Sequence, residues 1–456
     1  MQLDESIFKA YDIRGIYPEQ INENLVYKIG RAYSTFLLKE NPNKKLNVVV
    51  SSDMRLSSPS LREGLIKGII DSGINVIDIN QASTPSFYFT VAYYGYDGGL
   101  QVSASHNPKE YNGLKIVREK GMPVSGEGGI YEIRDIVKNE SFNNLATEKG
   151  QVFKKEDILV DEVREESKGI EINKIKPFKI AIDAANSMGA VDAKEIFKDL
   201  PCEVIEMNYK LDGNFPVHEA DPLKEENLKY VQDEVLKEKA DLGISIDGDG
   251  DRYFFVDEKG ETVPQPILRG MMAQIELKEN PSATVCYDIR PGKITKDMIE
   301  EVGGKGVVTK VGHSLIKEKM IELGAVFGGE SSGHYFYKFD FGTFEAPTTL
   351  IRKFLVYISE QNKPLSEIVR PYKKYFHTGE INTEVEDKEG KMKEISEKYS
   401  DGNISYLDGI SVEYPDFWFN VRPSNTESLL RFALEAKTKE LMGEKRDEII
   451  SIIKSK

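Results

Sequence analysis

Apolar runs of strand length alternate along the chain with longer amphipathic stretches, the pattern of strands joined by crossover helices. Residues 46–52, 75–80 and 100–103 read as strands, with a helix over 61–72 that stops near Gly73. Strand-like runs return at 178–183, 203–207 and 242–246, with helices expected over 193–199 and 227–239. A third round gives strands at 284–289, 306–309 and 326–327 and a helix at 315–323. The rhythm recurs three times without a strict sequence repeat. The last segment differs: 404–406, 410–413, 417–421 and 429–436 read as a mainly antiparallel sheet closed by a helix over 444–453. There Leu430, Phe432, Leu434 and Ala436 alternate with Arg431 and Glu435, which is the period of a strand.

This pattern predicts an α/β protein: three similar mixed-sheet α/β domains followed by a smaller α+β C-terminal domain. Seams near 149–155, 258–260 and 363–367 give spans of 1–150, 151–257, 258–367 and 368–456. Each of the first three rounds closes in a polar, Gly-rich loop just after a strand, where ligands of parallel α/β sheets bind.

Composition changes the picture in a few places. A length of 456 residues suggests about three domains by size alone. The net charge of −15 excludes nucleic acid as the main partner, because backbone binding needs clustered Lys and Arg. Taken alone it also disfavours an anionic ligand, although a net charge does not fix the field inside one cleft. No apolar run approaches the ~20 residues of a membrane helix, and the N-terminus lacks an apolar signal region. A cytoplasmic protein with no membrane partner is expected, with Cys202 and Cys286 as separate reduced thiols. Five histidines without a Cys/His cluster argue against structural zinc. Nothing in the pattern marks an oligomeric state.

Candidate chemistry sits in the loops. After the run at 242–246 comes Asp247-Gly248-Asp249-Gly250-Asp251-Arg252, then Tyr253-Phe254-Phe255-Val256. Three carboxylates at spacing two, interleaved with glycine, converge only where the backbone turns tightly. Such crowding is costly without a hard cation, and oxygen-only ligands suit Mg²⁺ or Ca²⁺. A calcium EF-hand fails, since Arg252 stands where its loop needs Gly and both flanks read as strands. The bland alternative is an acidic turn without metal. After 100–103 comes Ala104-Ser105-His106-Asn107-Pro108, followed by Tyr111-Asn112-Gly113-Leu114-Lys115. A serine hydroxyl at a strand end can act as nucleophile or phosphoryl carrier when a base or metal activates it. Taken alone, the run is better read as an ordinary turn, with His106 a hydrogen-bonded turn histidine and Lys115 a solvated strand residue.

Together, Ser103-Ala104-Ser105-His106-Asn107-Pro108 and the loop 247–252 closely resemble the α-D-phosphohexomutases. The opening Phe8-Lys9-Ala10-Tyr11-Asp12-Ile13-Arg14-Gly15 resembles the phosphomannomutase/phosphoglucomutase branch in particular. The motifs run in order from residue 8 to residue 431. The resemblance implies that Ser105 carries a phosphoryl group and that Asp247, Asp249 and Asp251 hold Mg²⁺, with an oxygen of the group on Ser105 completing the contact. It implies catalytic parts for His106, Lys115, Arg14, Tyr11 and Arg252. Gly328-Gly329-Glu330-Ser331-Ser332-Gly333-His334 resembles a sugar-recognition loop, with Glu330, Ser332 and His334 binding substrate; alone, such a run is more often a plain turn. His313 is an acid/base candidate, or else a cap for a helix starting near Ser314. Arg290 resembles a residue presenting a cation to the substrate, or is a surface arginine.

The loop Arg422-Pro423-Ser424-Asn425-Thr426-Glu427 has the groups that grip a phosphate dianion, with Arg431 assisting. Ser424 and Glu427 also have capping-box spacing, but the alternation after Leu429 disfavours a helix there. Two departures from the family stand out: Ser428 where Pro often follows Thr-Glu, and Phe344-Glu345-Ala346-Pro347 where Phe-Asp-Asp-Gly is usual. Asp212-Gly213-Asn214-Phe215-Pro216 fits the family and reads as structural.

The activity implied is reversible phosphoryl transfer between O1 and O6 of a hexose phosphate, mannose and/or glucose, through phosphoserine and a bound hexose 1,6-bisphosphate. Small-molecule hexose phosphates are then the partners. Phosphoglucosamine mutase is the alternative enzyme, against which the opening motif speaks; a non-catalytic sugar-phosphate or metal-binding protein is the alternative outside enzymes. On this reading Arg14, Lys115, Arg252, Arg290, Arg422 and Arg431 serve the site, and the surplus acid lies on outer faces.

Overall fold

A computed structural model describes residues 3–290, 292–424 and 429–455. The chain packs into two compact units, one running through Thr262 and including Gly333–Ser366, the other made of Val263–Ser332 and the chain from Glu367 onward. The expected span 258–367 contributes to both.

In the first unit, six strands form a mixed sheet in the order Ile13–Ile16, Tyr111–Arg118, Gly98–Val102, Asn47–Ser52, Asn75–Gln81, Val152–Lys154. The Asn47–Ser52 strand runs parallel to both neighbours, while Tyr111–Arg118 is antiparallel to both of its own. Helices Glu23–Glu40 and Ser58–Asp71 bury Val26, Ile29, Phe36, Leu61, Leu65 and Ile69 against Val48, Val50, Leu100 and Val102. They approach closely because Gly68 has no side chain: a Cβ there would lie 2.2 Å from Tyr27 O. A second sheet has the order Tyr253–Asp257, Leu242–Ile246, Lys179–Asp183, Glu203–Met207, with only the first pair antiparallel.

The helix Thr84–Tyr93 was not legible as one. Every residue from Thr84 to Ala92 is buried, so no polar face marks a 3.6-residue period. Its Phe89 meets Phe344 edge-on at 6.4 Å, from the hairpin Tyr335–Phe339/Gly342–Glu345. Thr348 N also donates to Glu166 Oε2 at 3.1 Å, and Arg352 Nη2 to Ile196 O at 2.7 Å. These contacts place Gly333–Ser366 in this unit although the sequence rhythm assigns it to the third round.

The second unit holds three parallel strands in the order Lys305–Thr309, Thr284–Asp288, Phe327–Gly329. Helices Gln265–Glu279, Lys293–Glu301 and His313–Leu323 belong to the same unit. Its second sheet is antiparallel throughout: Phe376–Glu384, Leu429–Ala436, Phe417–Pro423, Ile410–Glu413, Asn403–Ser405. Leu430, Phe432 and Leu434 point into its core with Phe419, Val421 and Ile449, as the alternation requires. Glu435 departs from that alternation's polar face. It is buried, and its carboxylate accepts from Gly292 N at 2.9 Å and Lys293 N at 3.0 Å, capping Lys293–Glu301. The closing helix begins at Lys439, five residues earlier than expected, because Thr438 caps it by accepting from Leu441 N.

The expected fold class is borne out: mixed α/β sheets followed by an α+β segment. No helix among the described residues is long and apolar enough to cross a membrane. Cys202 and Cys286 are both free thiols.

Candidate active site

In the first unit the strand Gly98–Val102 gives way to Ser103, and Ser105 follows in a left-handed backbone conformation, φ 50°, that a non-glycine residue adopts only under constraint. The constraint is Arg55, which is 1% exposed. Its Nη2 donates to Ser105 O (2.7 Å) and Asn107 O (2.6 Å), and its Nη1 to Pro108 O (2.7 Å) and Tyr111 O (3.0 Å). Asp53 Oδ2 pairs with Nε at 3.1 Å, and the Phe215 ring lies under the guanidinium at 5.2 Å. Segment 212–216 thus has the structural part its sequence suggests. Arg14, on Ile13–Ile16, adds a fifth tether through Nη1 to Asn107 Oδ1 at 2.6 Å. Tyr11 is half-buried in the turn before that strand.

The acidic loop connects the antiparallel strands Leu242–Ile246 and Tyr253–Asp257, as the rejection of an EF-hand anticipates. Asp247, Asp249 and Asp251 are buried, and each offers an oxygen lying within 4.8 Å of the others'. Asp247 Oδ1 is spent on its own loop, accepting from Gly250 N, Asp251 N and Arg252 N at 3.1–3.3 Å. Its Oδ2 accepts from Ser105 Oγ at 3.2 Å, joining the two loops. The approach depends on Gly248, where a Cβ would stand 2.3 Å from Ser105 O.

Lys115 Nζ bridges Asp249 Oδ2 and Asp251 Oδ2 at 2.8 Å each. Burial disfavours the Asp247 charge, and Asp251 and Asp249 push its pKa further up, well above the usual carboxylate range. Burial also opposes the charge on Lys115, but Asp249 and Asp251 more than compensate and hold its pKa well above normal. Asp249 Oδ1 is buried with no hydrogen-bond partner. A buried orphan oxygen among three converging carboxylates is a donor set suited to a hard divalent cation.

Around this centre, His106 Nδ1 lies 3.1 Å from Ser105 Oγ. Desolvation, then the charges of Arg252 and Arg14, drive the His106 pKa well below normal. His334 Nε2 lies 3.2 Å from Asp251 Oδ1 and 3.3 Å from Arg252 Nε. Glu345, in the stretch that departs from the family pattern, is buried with its carboxylate within 4.8 Å of ligand atoms of Asp251 and His334. The structure therefore brings Ser105, His106, Lys115, Arg14, Arg252, His334 and the three aspartates together, all within one unit.

The second unit assembles the remaining candidates. Asp288 ends Thr284–Asp288 and is gripped by the fully buried Arg269 and by Arg290. Arg290 Nη2 reaches Ser332 Oγ at 3.3 Å and Glu330 Oε1 at 3.7 Å, so Arg290 belongs to the same cluster as the sugar-loop residues. Glu330 Oε1 accepts from Gly312 N at 2.8 Å, tying the sugar loop to the His313 loop. His313 is the first residue of His313–Leu323, with Gly312 in the capping position. Arg422 and Arg431 are register partners on neighbouring strands, with Ser424 Oγ 3.5 Å from Arg431 Nη2. The strand beginning at Leu429 removes the capping-box alternative. Asn425 and Thr426, with Glu427 and Ser428, lie outside the described residues.

Sequence reasoning missed Arg55, Thr84, Arg269, Glu345 and Glu380, the last of which pairs with both Arg422 and Arg431. Thr84 starts its helix, with its N–H on Asp249 O (2.9 Å) and its hydroxyl on Asp249 Oδ2. The Ser83-Thr84-Pro85 cap signal could have marked that helix start. The other four carry no local signature, because their partners are distant in sequence.

Four family models match the chain in order. These are the phosphoglucomutase/phosphomannomutase alpha/beta/alpha domains I (residues 5–144), II (159–260) and III (267–375), and the C-terminal domain (380–452). The chain is 39% identical over 451 residues to a phosphomannomutase of Methanocaldococcus jannaschii, covering 99% of this chain and 98% of the relative. It is 37% identical over 459 residues to a phosphomannomutase of Vibrio cholerae serotype O1, covering 98% of each. The crystal structure of a phosphoglucomutase/phosphomannomutase family protein from Burkholderia thailandensis matches with a TM-score of 0.91 at 30% identity, covering 99% of this chain and 98% of that one. With its loops in the family's order and all four family domains matched, the chain belongs to the phosphoglucomutase/phosphomannomutase family and is a phosphohexomutase.

Proposed function

We propose that this chain moves a phosphoryl group between O1 and O6 of a hexose phosphate, mannose and/or glucose, with Ser105 as carrier and hexose 1,6-bisphosphate as bound intermediate. One observation carries the reading: the buried Ser105 Oγ lies 3.2 Å from Asp247 Oδ2, inside a cluster of three carboxylates with an orphan oxygen. Asp247, Asp249 and Asp251 are suited to hold Mg²⁺ together with the phosphoryl group on Ser105. When bound, the ion supplies charge neutralisation at the transferring oxygens.

In the forward half-reaction a substrate hydroxyl oxygen bonds to phosphorus as the bond from phosphorus to Ser105 Oγ breaks. The hydroxyl gives up its proton and Ser105 Oγ gains one. His313, Lys115, and Arg14 with Tyr11 are the candidates for that proton traffic; His106 borders the reacting oxygen, and Arg252 lies beside Asp247 and Asp251. Glu330, Ser332 and His334 take sugar hydroxyls; Arg290, Arg422, Ser424 and Arg431 take the phosphate that is not reacting, with Asn425 and Thr426 assigned to that task by sequence alone. The bisphosphate then turns end for end and its other phosphate returns to Ser105. The relatives from M. jannaschii and V. cholerae are named phosphomannomutases, which supports mannose phosphate as the first substrate to assay.

The test is Ser105→Ala with mannose 1-phosphate and added bisphosphate sugar, beside intact-mass measurement of the unmodified enzyme. Loss of turnover and a phosphate on the wild-type chain are expected; undiminished turnover overturns the carrier role. Parallel kcat/KM values for mannose, glucose and glucosamine phosphates decide the sugar.

A further inference from the structure

The antiparallel sheet of the second unit sets two guanidinium groups side by side. Arg422 and Arg431 are register partners, so their side chains leave one face of adjacent strands, where like charges oppose each other. A third residue resolves that conflict. Glu380 lies on the edge strand Phe376–Glu384, just after a register shift between His377 and Glu380. Its Oε1 pairs with Arg431 Nη1 at 3.0 Å while its Oε2 pairs with Arg422 Nη2. Its influence reaches Arg290 as well: burial works against that charge, but Asp288, Glu330 and Glu380 together raise the Arg290 pKa. One carboxylate thus touches two of the arginines assigned to the non-reacting phosphate and is felt by the third.

We propose that Glu380 is an internal anion that competes with the substrate's phosphate for Arg422 and Arg431, and thereby sets how readily that phosphate is released. The inference rests on the reading of the Arg422 loop as a phosphate clamp. A carboxylate bridging two guanidinium groups uses the N–H donors that a phosphate dianion needs, so the two anions contend for the same geometry. Glu380 can yield, because its side chain remains 29% exposed and can turn to water when displaced. Competition has a use in this reaction. The bisphosphate must leave the clamp by one end and return by the other, and a clamp of full double charge would hold both positions too long. Grip that is equal in ground and transition states lowers KM without raising kcat. Glu380 keeps the two arginines aligned and partly satisfied, so that the phosphate gains only the difference between two anions.

Glu380→Gln tests this, since it keeps the shape and removes the charge. Inorganic phosphate is titrated calorimetrically into the wild-type holoenzyme, Glu380→Gln, Arg422→Ala and the double variant. Glu380→Gln is expected to bind phosphate on the order of tenfold more tightly, as for loss of a competing close charge. KM for hexose phosphate and kcat are expected to fall together. The double variant should gain less over Arg422→Ala than Glu380→Gln gains over the wild type, because Arg431 alone is then left for Glu380 to occupy. Phosphate affinity that is unchanged or weaker in Glu380→Gln overturns the proposal and makes Glu380 a scaffold for the arginines. Phosphate binding that survives Arg422→Ala unchanged sinks the clamp reading instead, so the two failures are told apart.

Discussion

Arg55→Met removes a guanidinium while keeping an unbranched stem of similar reach. In the native loop that guanidinium makes five hydrogen bonds, four to the carbonyls of Ser105, Asn107, Pro108 and Tyr111 and one to Asp53. Hydrogen bonds to a charged partner contribute about 1.5–3 kcal/mol each, but their simple sum overstates the loss, because water can reach the loop's outer carbonyls. The firmer bound comes from the buried charge left behind: breaking a buried pair by removing one partner costs about 3–5 kcal/mol. Asp53 keeps two other donors, Arg55 N at 3.1 Å and Ser58 Oγ at 2.6 Å, so the lower end applies. About 3 kcal/mol lowers the melting temperature by roughly 5 °C for a unit of this size.

The functional effect should exceed the thermal one. Without Arg55 the left-handed backbone at Ser105 loses four of the loop's five arginine tethers, and a reacting oxygen misplaced by about 1 Å costs on the order of a hundredfold in rate. Calorimetry gives the first number, and kcat measured well below the variant's melting temperature gives the second. Arg55→Lys keeps a charge but not the fork, and should recover stability more than turnover. An Arg55→Met enzyme with native melting temperature and native kcat would refute the view that this side chain holds the serine loop in its working shape.

Three further outcomes follow from the same geometry. Gly248→Ala places a Cβ against Ser105 O and should cost about 1–3 kcal/mol together with at least a tenfold loss of kcat; native kinetics would show that the two loops are free to separate. Asp249→Asn should weaken Mg²⁺ binding at least tenfold by direct titration, and an unchanged affinity would remove the acidic loop as the metal site. Burial raises the pKa of Glu166 to about 8 and of Asp192 to about 7. Folding therefore takes up protons at these groups: their stabilisation is complete in acid, below the unfolded carboxylate range, and is lost as pH rises through about 7–8. Glu166→Gln should accordingly abolish about 2–3 kcal/mol of the stability lost between about pH 6 and pH 9; a variant that melts with the wild-type pH profile contradicts the raised pKa.

What the sequence displayed, and what it hid, divides along the range of the interactions. The acidic loop was legible because its ligands lie two residues apart and glycine spacing announces the tight turn. The strand Leu429–Ala436 was legible because one face is buried and the other is not, so its period is written into the residues. Thr84–Tyr93 was hidden because burial on all sides erases period. Arg55 was hidden because its acceptors lie some fifty residues onward and are carbonyls, which no side-chain motif records. Glu380 was hidden for the same reason, with partners 42 and 51 residues away. Glu345 could be noticed only as a departure from a resemblance; its buried place beside Asp251 and His334 needed the fold.

The net charge of −15 posed the sharpest apparent conflict with a phosphorylated ligand, and its resolution is more specific than a basic patch on an acidic protein. In the first unit Arg14 pairs with Asp12, and Lys115 and Arg252 lie among the three aspartates. In the second, Arg290, Arg422 and Arg431 are each already paired with Asp288, Glu330 or Glu380. None of these six cations presents a bare positive field. On the proposed function and the proposed role of Glu380, phosphate is gripped by exchange, one anion replacing another on arginines that stay oriented throughout. Exchange makes affinity the small difference between two strong interactions, which suits an enzyme that must release and recapture both ends of one substrate. It also explains why surplus acid does no harm: long-range repulsion between exposed charges is screened over about 8–10 Å, whereas the exchange is decided by direct charge–charge contacts at close range.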